Sequence, residues 1–239
     1  MSDPRTDVLD DAKSLAVHAA QWIANLIEAR EGRRFRLALT GGSTPRPLYC
    51  ELASRYRDAI DWKEVEFYWS DERFVPHDSP ASNFQLAQET LLQHIPVPPE
   101  NIHAIPVEGS PADAAHAYED ILKRIYGAQK LDPARPFFDL SILGLGPDGH
   151  ICSLVPGSPV LDEKSRWAAE VLQGKPEFRI TLTYPCVQSS RMTAFYVTGQ
   201  DKAEAVRGAR AHDPKLPAGR LQPDGGLVWL LDRAAATLS

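Results

Sequence analysis

The sequence has no run of about 20 apolar residues, so it offers no helix long enough to span a membrane. It has only three cysteines, Cys50, Cys152 and Cys186, an odd and widely spaced set with no C-x-x-C pair. That count gives neither a disulfide framework nor a thiolate zinc site, and the three are expected to be mostly buried small apolar residues. Nor is there a surplus of basic residues: 26 Lys and Arg stand against 32 Asp and Glu, for a formal net charge of −6. A general nucleic-acid binder would show a basic face, so any anionic ligand must be held by local cations. The start, "MSDPRTDVLDD", lacks the basic-then-apolar order of a signal peptide, and a cytoplasmic location is expected. No internal repeat, low-complexity tract or long linker interrupts the 239 residues. A single domain over 1–239 is expected, with no nucleic-acid or membrane partner.

What is present is the patterning of an α/β protein. Apolar residues at helical spacing from Val8 to Ile27 predict an amphipathic first helix, stopped by Gly32. "RFRLALT" reads as a buried strand running into "GGSTPRPLYCELASRY", where Thr44 would cap a helix with Pro45 at its first position. "VEFYWS" reads as a second strand, "DERFVPHDSPASN" as a polar loop and "FQLAQETLLQHI" as a helix. "GSPADAAHAYEDILKRIYG" has a Ser110 cap, Pro111 and a terminal Gly127, and is the clearest helix of the sequence. "FFDLSILGLG", "RITLTYP", "MTAFYVTG" and "GLVWLLD" supply further strands, with a helix near 201–209 and a surface loop at "AHDPKLPAGRLQPDGG". Strands alternating with helices, and apolar along nearly their whole length, predict an open, mostly parallel Rossmann-like sheet with helices on both faces.

In such sheets ligands sit at the carboxyl ends of strands, and four of the following loops carry chemistry. In "TGGSTP" the backbone at Gly41 and Gly42 can approach a ligand closely, while Ser43, Thr44 and the helix start offer donors to an anion. Phosphate is the natural guest, although an ordinary strand-to-helix turn reads the same way. "SDERF" sets Asp71, Glu72 and Arg73 at one strand end, a set that can position a polyhydroxylated substrate or form a solvated charged turn. "GLGPDGH" has the glycine spacing of a dinucleotide-binding turn, but Pro147 removes a donor, Asp148 would bring a carboxylate toward two phosphates, and Pro156 and Pro159 cut short any following helix. What remains is a turn presenting Asp148 and His150; imidazole suits proton transfer at neutral pH, and Asp148 either orients the ring or joins it at the substrate. Finally Arg179 in "RITLT" and Lys202 in "TGQDK" can each neutralise a phosphate.

Taken in order, "LALTGGSTP", "WSDERFVP", "FDLSILGLGPDGHICSLVPGS", "RITLTYPCVQSSRMTAFYVTGQDKA" and "LPAGRLQPDGGLVWLLDRAAATL" resemble the 6-phosphogluconolactonase family over nearly the whole chain. The resemblance implies the fold shared with glucosamine-6-phosphate isomerases and the hydrolysis of 6-phospho-D-glucono-1,5-lactone, a small sugar-phosphate lactone, in the oxidative pentose phosphate pathway. It implies no cofactor. The family's acid/base histidine falls on His150, and its phosphate contacts on the glycine loop, Arg73 and Lys202, with Arg179 beside them. Asp148 and Asp71 complete the expected catalytic group, no metal is expected, and a monomer is. The nearest alternative is the isomerase, whose histidine leans on a glutamate a few residues on; here Val155 stands five residues after His150, and no carboxylate follows before Asp162. A non-catalytic sugar-phosphate sensor would need a DNA-binding segment that the sequence does not show.

Overall fold

Apolar runs bounded by turn residues become strands, and helical stretches between them carry the chain back to the same edge. The structure is a computed structural model describing residues 4–30, 32–174 and 176–238. In chain order the strands are β1 (Arg5–Leu9), β2 (Phe35–Leu39), β3 (Val65–Trp69), β4 (Asp71–Arg73), β5 (Ile102–His103), β6 (Phe138–Leu143), β7 (Ala168–Val171), β8 (Arg179–Leu182), β9 (Ser190–Val197) and β10 (Gly226–Asp232). The α-helices are α1 (Ala12–Glu28), α2 (Arg46–Arg55), α3 (Asn83–Thr90), α4 (Pro111–Tyr126), α5 (Tyr184–Gln188) and α6 (Ala203–Arg210). Seven strands form an open sheet in the order β1-β10-β9-β6-β2-β3-β5, with every neighbouring pair parallel. The steps from β1 to β2 and from β2 to β3 run one way across this sheet, whereas those from β5 to β6 and from β9 to β10 run the other. Right-handed crossovers therefore put α1 and α2 on one face, where they touch, and α4 and α6 on the opposite one. The expected open α/β architecture is thus what the chain adopts.

The local expectations that fail do so for identifiable reasons. The first helix starts at Ala12, not Val8: Asp11 accepts a hydrogen bond from Ser14 N at 2.7 Å as its cap, and Val8 belongs to the edge strand β1, whose partner β10 lies over 200 residues away. Thr44 is no cap, because the turn tightens through Arg46 N to Ser43 O at 3.3 Å, which puts Pro45 at the cap position and starts α2 at Arg46. "RITL" does not join the large sheet. It is the centre of a second, antiparallel sheet, β4-β8-β7, to which the presumed polar loop contributes Asp71–Arg73. Strands β5 and β7 were not legible as separate elements, and Cys50 is exposed while Cys152 and Cys186 are buried. The segment read as a surface loop at 211–226 also turns inward, burying Ala218 and Leu221.

Where the parallel ladder stops, two tyrosines hold the strand ends. Tyr49 of α2 donates its hydroxyl to Thr40 O at 2.7 Å and accepts from Thr40 N at 3.1 Å. Tyr118 of α4 does the same for Trp69, with both bonds at 3.1 Å. Burial pushes both phenols far above their ordinary values, so each stays a neutral donor and acceptor. Phenylalanine at either position leaves a buried N–H without its partner, and Tyr49→Phe and Tyr118→Phe are each expected to cost about 1–3 kcal/mol in urea denaturation. A loss below about 0.5 kcal/mol, the range of ordinary surface changes, would contradict the clamp.

Candidate active site

Strands β6 and β2 are neighbours, but the chain leaves them in opposite directions, toward β9 from one and toward β3 from the other. The crevice at such a reversal is where an open sheet binds ligands, and the loops after β9, β6, β2 and β3 all meet there. They line one cavity of about 230 Å³.

After β2 comes the loop 40–44. Gly42 has φ +84°, a left-handed conformation that a side chain would strain. Gly41 is needed for another reason: a Cβ there would stand 1.9 Å from Asn83 Oδ1. Thr40 Oγ1 accepts from Gly144 N at 3.2 Å and ties this loop to the one after β6.

After β3 the chain enters β4 with two buried carboxylates. Glu72 accepts from the N–H groups of Arg73, Asn83 and Phe84, each at 2.7 Å, and from Ser82 Oγ at 2.9 Å, so it anchors the start of α3. Burial pushes its carboxyl above the usual range, against these donors. Asp71 accepts from Ser153 Oγ at 2.6 Å and Asn83 Nδ2 at 3.2 Å, and lies 3.8 Å from Arg179 Nη1. Arg73 donates to Ala81 O through Nη1, while its Nε and that of Arg179 are buried with no hydrogen-bond partner among the described residues. Both residues line the cavity. Burial, aided by Arg73, pulls Arg179 below its ordinary value, and Asp71 opposes.

The glycine turn after β6 closes on itself through Gly149 N to Gly146 O and Gly146 N to His150 O, both 2.9 Å. Asp148 Oδ1 accepts from His150 N at 3.2 Å and meets His150 Nδ1. A Cβ on Gly146 would fall 2.0 Å from that Nδ1, so the pair exists only because residue 146 has no side chain. The inward segment near 216–218 backs the turn: Leu216 packs on Gly149, and Ala218 N donates to Gly149 O at 2.9 Å. Cys152, in the left-handed region at φ 51°, also lines the cavity, but burial and the charge of Asp71 push its thiol well up. It is not a thiolate nucleophile.

After β9, Gly199 N donates to both oxygens of Asp232 at 3.1 Å, fixing the turn from which Lys202 reaches the cavity; Lys202 Nζ stands 2.8 Å from Asp201. Of the residues singled out in the sequence, Gly41, Gly42, Ser43, Thr44, Asp71, Arg73, His150, Arg179 and Lys202 all line this one cavity, and Asp148 stands behind His150. Sequence reading missed Asn83, Ser153 and Asp232, and it set Glu72 at the substrate or in a solvated turn, whereas Glu72 is buried against the start of α3. Only Ser82 and Asn83, as helix-start residues, left a local trace. A second hollow of about 380 Å³ shares Gly42, Ser43, Arg73 and Asn83 with the first. Among the described residues no group of three or more His, Cys, Asp or Glu could hold a metal ion.

Comparison with known proteins shows the family and the fold. The family model described as glucosamine-6-phosphate isomerases/6-phosphogluconolactonase matches residues 10–229, and the chain belongs to that family. It is 36% identical over 98% of its length to the chloroplastic 6-phosphogluconolactonase 3 of Arabidopsis thaliana, covering 74% of that protein. It is 35% identical to the 6-phosphogluconolactonase of a Nostoc species, over 96% of this chain and 95% of the other. The solved 6-phosphogluconolactonase of Trypanosoma cruzi superposes with a TM-score of 0.87 at 28% identity, covering 99% and 97% of the two chains. The resemblance seen in the motifs is borne out.

Burial separates the three thiols. A thiol reagent such as dithionitrobenzoate is expected to titrate one cysteine, the exposed Cys50, in the native protein and all three in guanidinium. A second fast-reacting thiol before unfolding would contradict the packing of Cys152 in the cleft wall.

Proposed function

We propose that this protein hydrolyses 6-phospho-D-glucono-1,5-lactone to 6-phospho-D-gluconate, as its relatives' names describe, with His150 as the proton carrier. The observation that supports this most is a histidine–carboxylate pair and a cluster of anion-binding groups lining the same small cavity. With Nδ1 engaged by Asp148, the other ring nitrogen, Nε2, takes a proton from water as its oxygen attacks C1. The same proton then passes to the ring oxygen as the C1–O bond breaks, which opens the lactone and restores the base. The carboxylate of Asp148 holds the ring's tautomer and favours the transient imidazolium.

The phosphate is assigned to the 41–44 loop, Arg73 and Lys202, so that the far end of the sugar is fixed while C1 meets the histidine. Charge on the carbonyl oxygen needs a donor. The N–H groups of Gly144, Gly146 and Gly149 are already bonded within the protein and Pro147 has none, so the donors left on the cavity wall are the guanidiniums of Arg73 and Arg179 and the N–H of Leu145. Asp71, tied by Asn83, Ser153 and Arg179, keeps Arg179 and the cleft floor in place.

His150→Ala is expected to keep the fold and lower kcat by roughly 10²–10⁴ on freshly generated lactone, followed as acid release above the spontaneous rate. A variant keeping more than half of the wild-type kcat would remove His150 from the mechanism. Lys202→Ala should instead raise KM for the phosphorylated lactone, by an amount on the order of 1.5–3 kcal/mol in binding. Wild-type protein that hydrolyses unphosphorylated gluconolactone equally well would contradict the phosphate site. The isomerase reading is less well supported because His150 pairs with Asp148 and Val155 is a buried apolar residue; glucosamine 6-phosphate should release no ammonia.

A further inference from the structure

The four strands whose carboxyl ends bear the cleft gather a second set of charges at their amino ends. Arg33 and Arg34 lead into β2, and Arg36, inside that strand, pairs in register with Glu66 near the start of β3. Arg135 arrives just before β6, and Arg191 sits at the start of β9. These residues line a cavity of about 450 Å³. Strands of five to eight residues separate it from the cleft, roughly 17–26 Å of sheet.

Among the described residues two buried carboxylates, Asp139 and Glu66, pair with four of the five guanidiniums here. Arg33 forks onto Asp139, which also accepts from Arg36 N at 2.9 Å and lies 3.5 Å from Arg191 Nε. Glu66 faces Arg36 Nε at 3.3 Å and Arg34 Nη1 at 3.4 Å. Among the described residues Asp139 is shared by Arg33 and Arg191, Glu66 is shared by Arg34 and Arg36, Arg34 also donates to Asn101 Oδ1 at 3.0 Å, and Arg135 has no ion pair, so positive charge is in excess around the hollow. Two are held flat by rings: Arg135 lies 4.0 Å over Tyr126 and Arg36 lies 4.9 Å over Phe137. Stacked guanidiniums around a hollow, in a chain of net charge −6, are arranged for bidentate contact with phosphoryl oxygens.

We propose that this pocket is a second anion-binding site, taking a compact polyphosphate or multiply phosphorylated small molecule, independent of the catalytic cleft. The exposed Arg135 and half-exposed Arg191 supply its accessible donors, whereas Arg36 and Glu66 form its floor.

The test is calorimetric titration of the whole protein with inorganic tripolyphosphate. Wild type and Lys202→Ala should both bind saturably, while the double variant Arg135→Ala/Arg191→Ala should lose affinity by at least about tenfold and hydrolyse lactone with unchanged basal kcat/KM. Because binding is read directly, the result does not depend on the lactonase reading. Should the double variant fold poorly, ring resonances of Tyr126 and Phe137 in wild-type protein supply the readout, and they should shift on titration. No saturable binding at about 1 mM, or binding lost in Lys202→Ala and indifferent to the double variant, overturns the proposal.

Discussion

Everything in the cleft depends on one constraint: β2 and β6 lie side by side, parallel, and their chains depart in opposite directions. No helix can cover the space above that junction, because the crossovers leave it on either side. Four loops fill it instead, and each brings one type of chemistry: donors after β2, buried carboxylates with a guanidinium after β3, the imidazole pair after β6, and the lysine after β9. The sheet fixes how far apart these groups stand, and the tyrosine clamps on Thr40 and Trp69 hold the two strand ends where the ladder no longer does.

Rigidity in the cleft comes from buried polar contacts more than from apolar packing. Glu72 accepts four hydrogen bonds, three of them from the start of α3, and that helix carries Asn83 to Asp71 and to the face of Gly41. Losing one partner in such a set leaves another charge or N–H unsatisfied in a low-dielectric site, so the members act together. The glycines follow the same logic. Gly41 and Gly146 are small because Asn83 and His150 need the room, while Gly42 is there for its backbone angle.

The parts legible in the sequence were those encoded locally. Apolar runs announced β2, β3 and β6; the Ser110 cap, Pro111 and Gly127 announced α4; and the Asp-Gly-His turn placed Asp148 within two residues of the ring it holds. What could not be read depends on distant partners. Ser153 reaches Asp71 across 82 positions, and "DERF" looks like a solvated loop because nothing nearby shows that Asp71 and Glu72 will be buried by β8 and α3. The edge strand β1 was absorbed into the following helix for the same reason, since its pairing with β10 closes only when the end of the fold is in place.

The central claim is the polarity of the cleft: sugar C1 toward His150, phosphate toward the glycine loop and Lys202. A crystal structure with 6-phospho-D-gluconate bound tests it most directly. The account predicts the carboxylate within hydrogen-bond distance of His150 and the phosphate on Ser43, Thr44, Arg73 and Lys202. A product molecule lying the other way round, with its phosphate on His150, or one bound only outside this cavity, would contradict it.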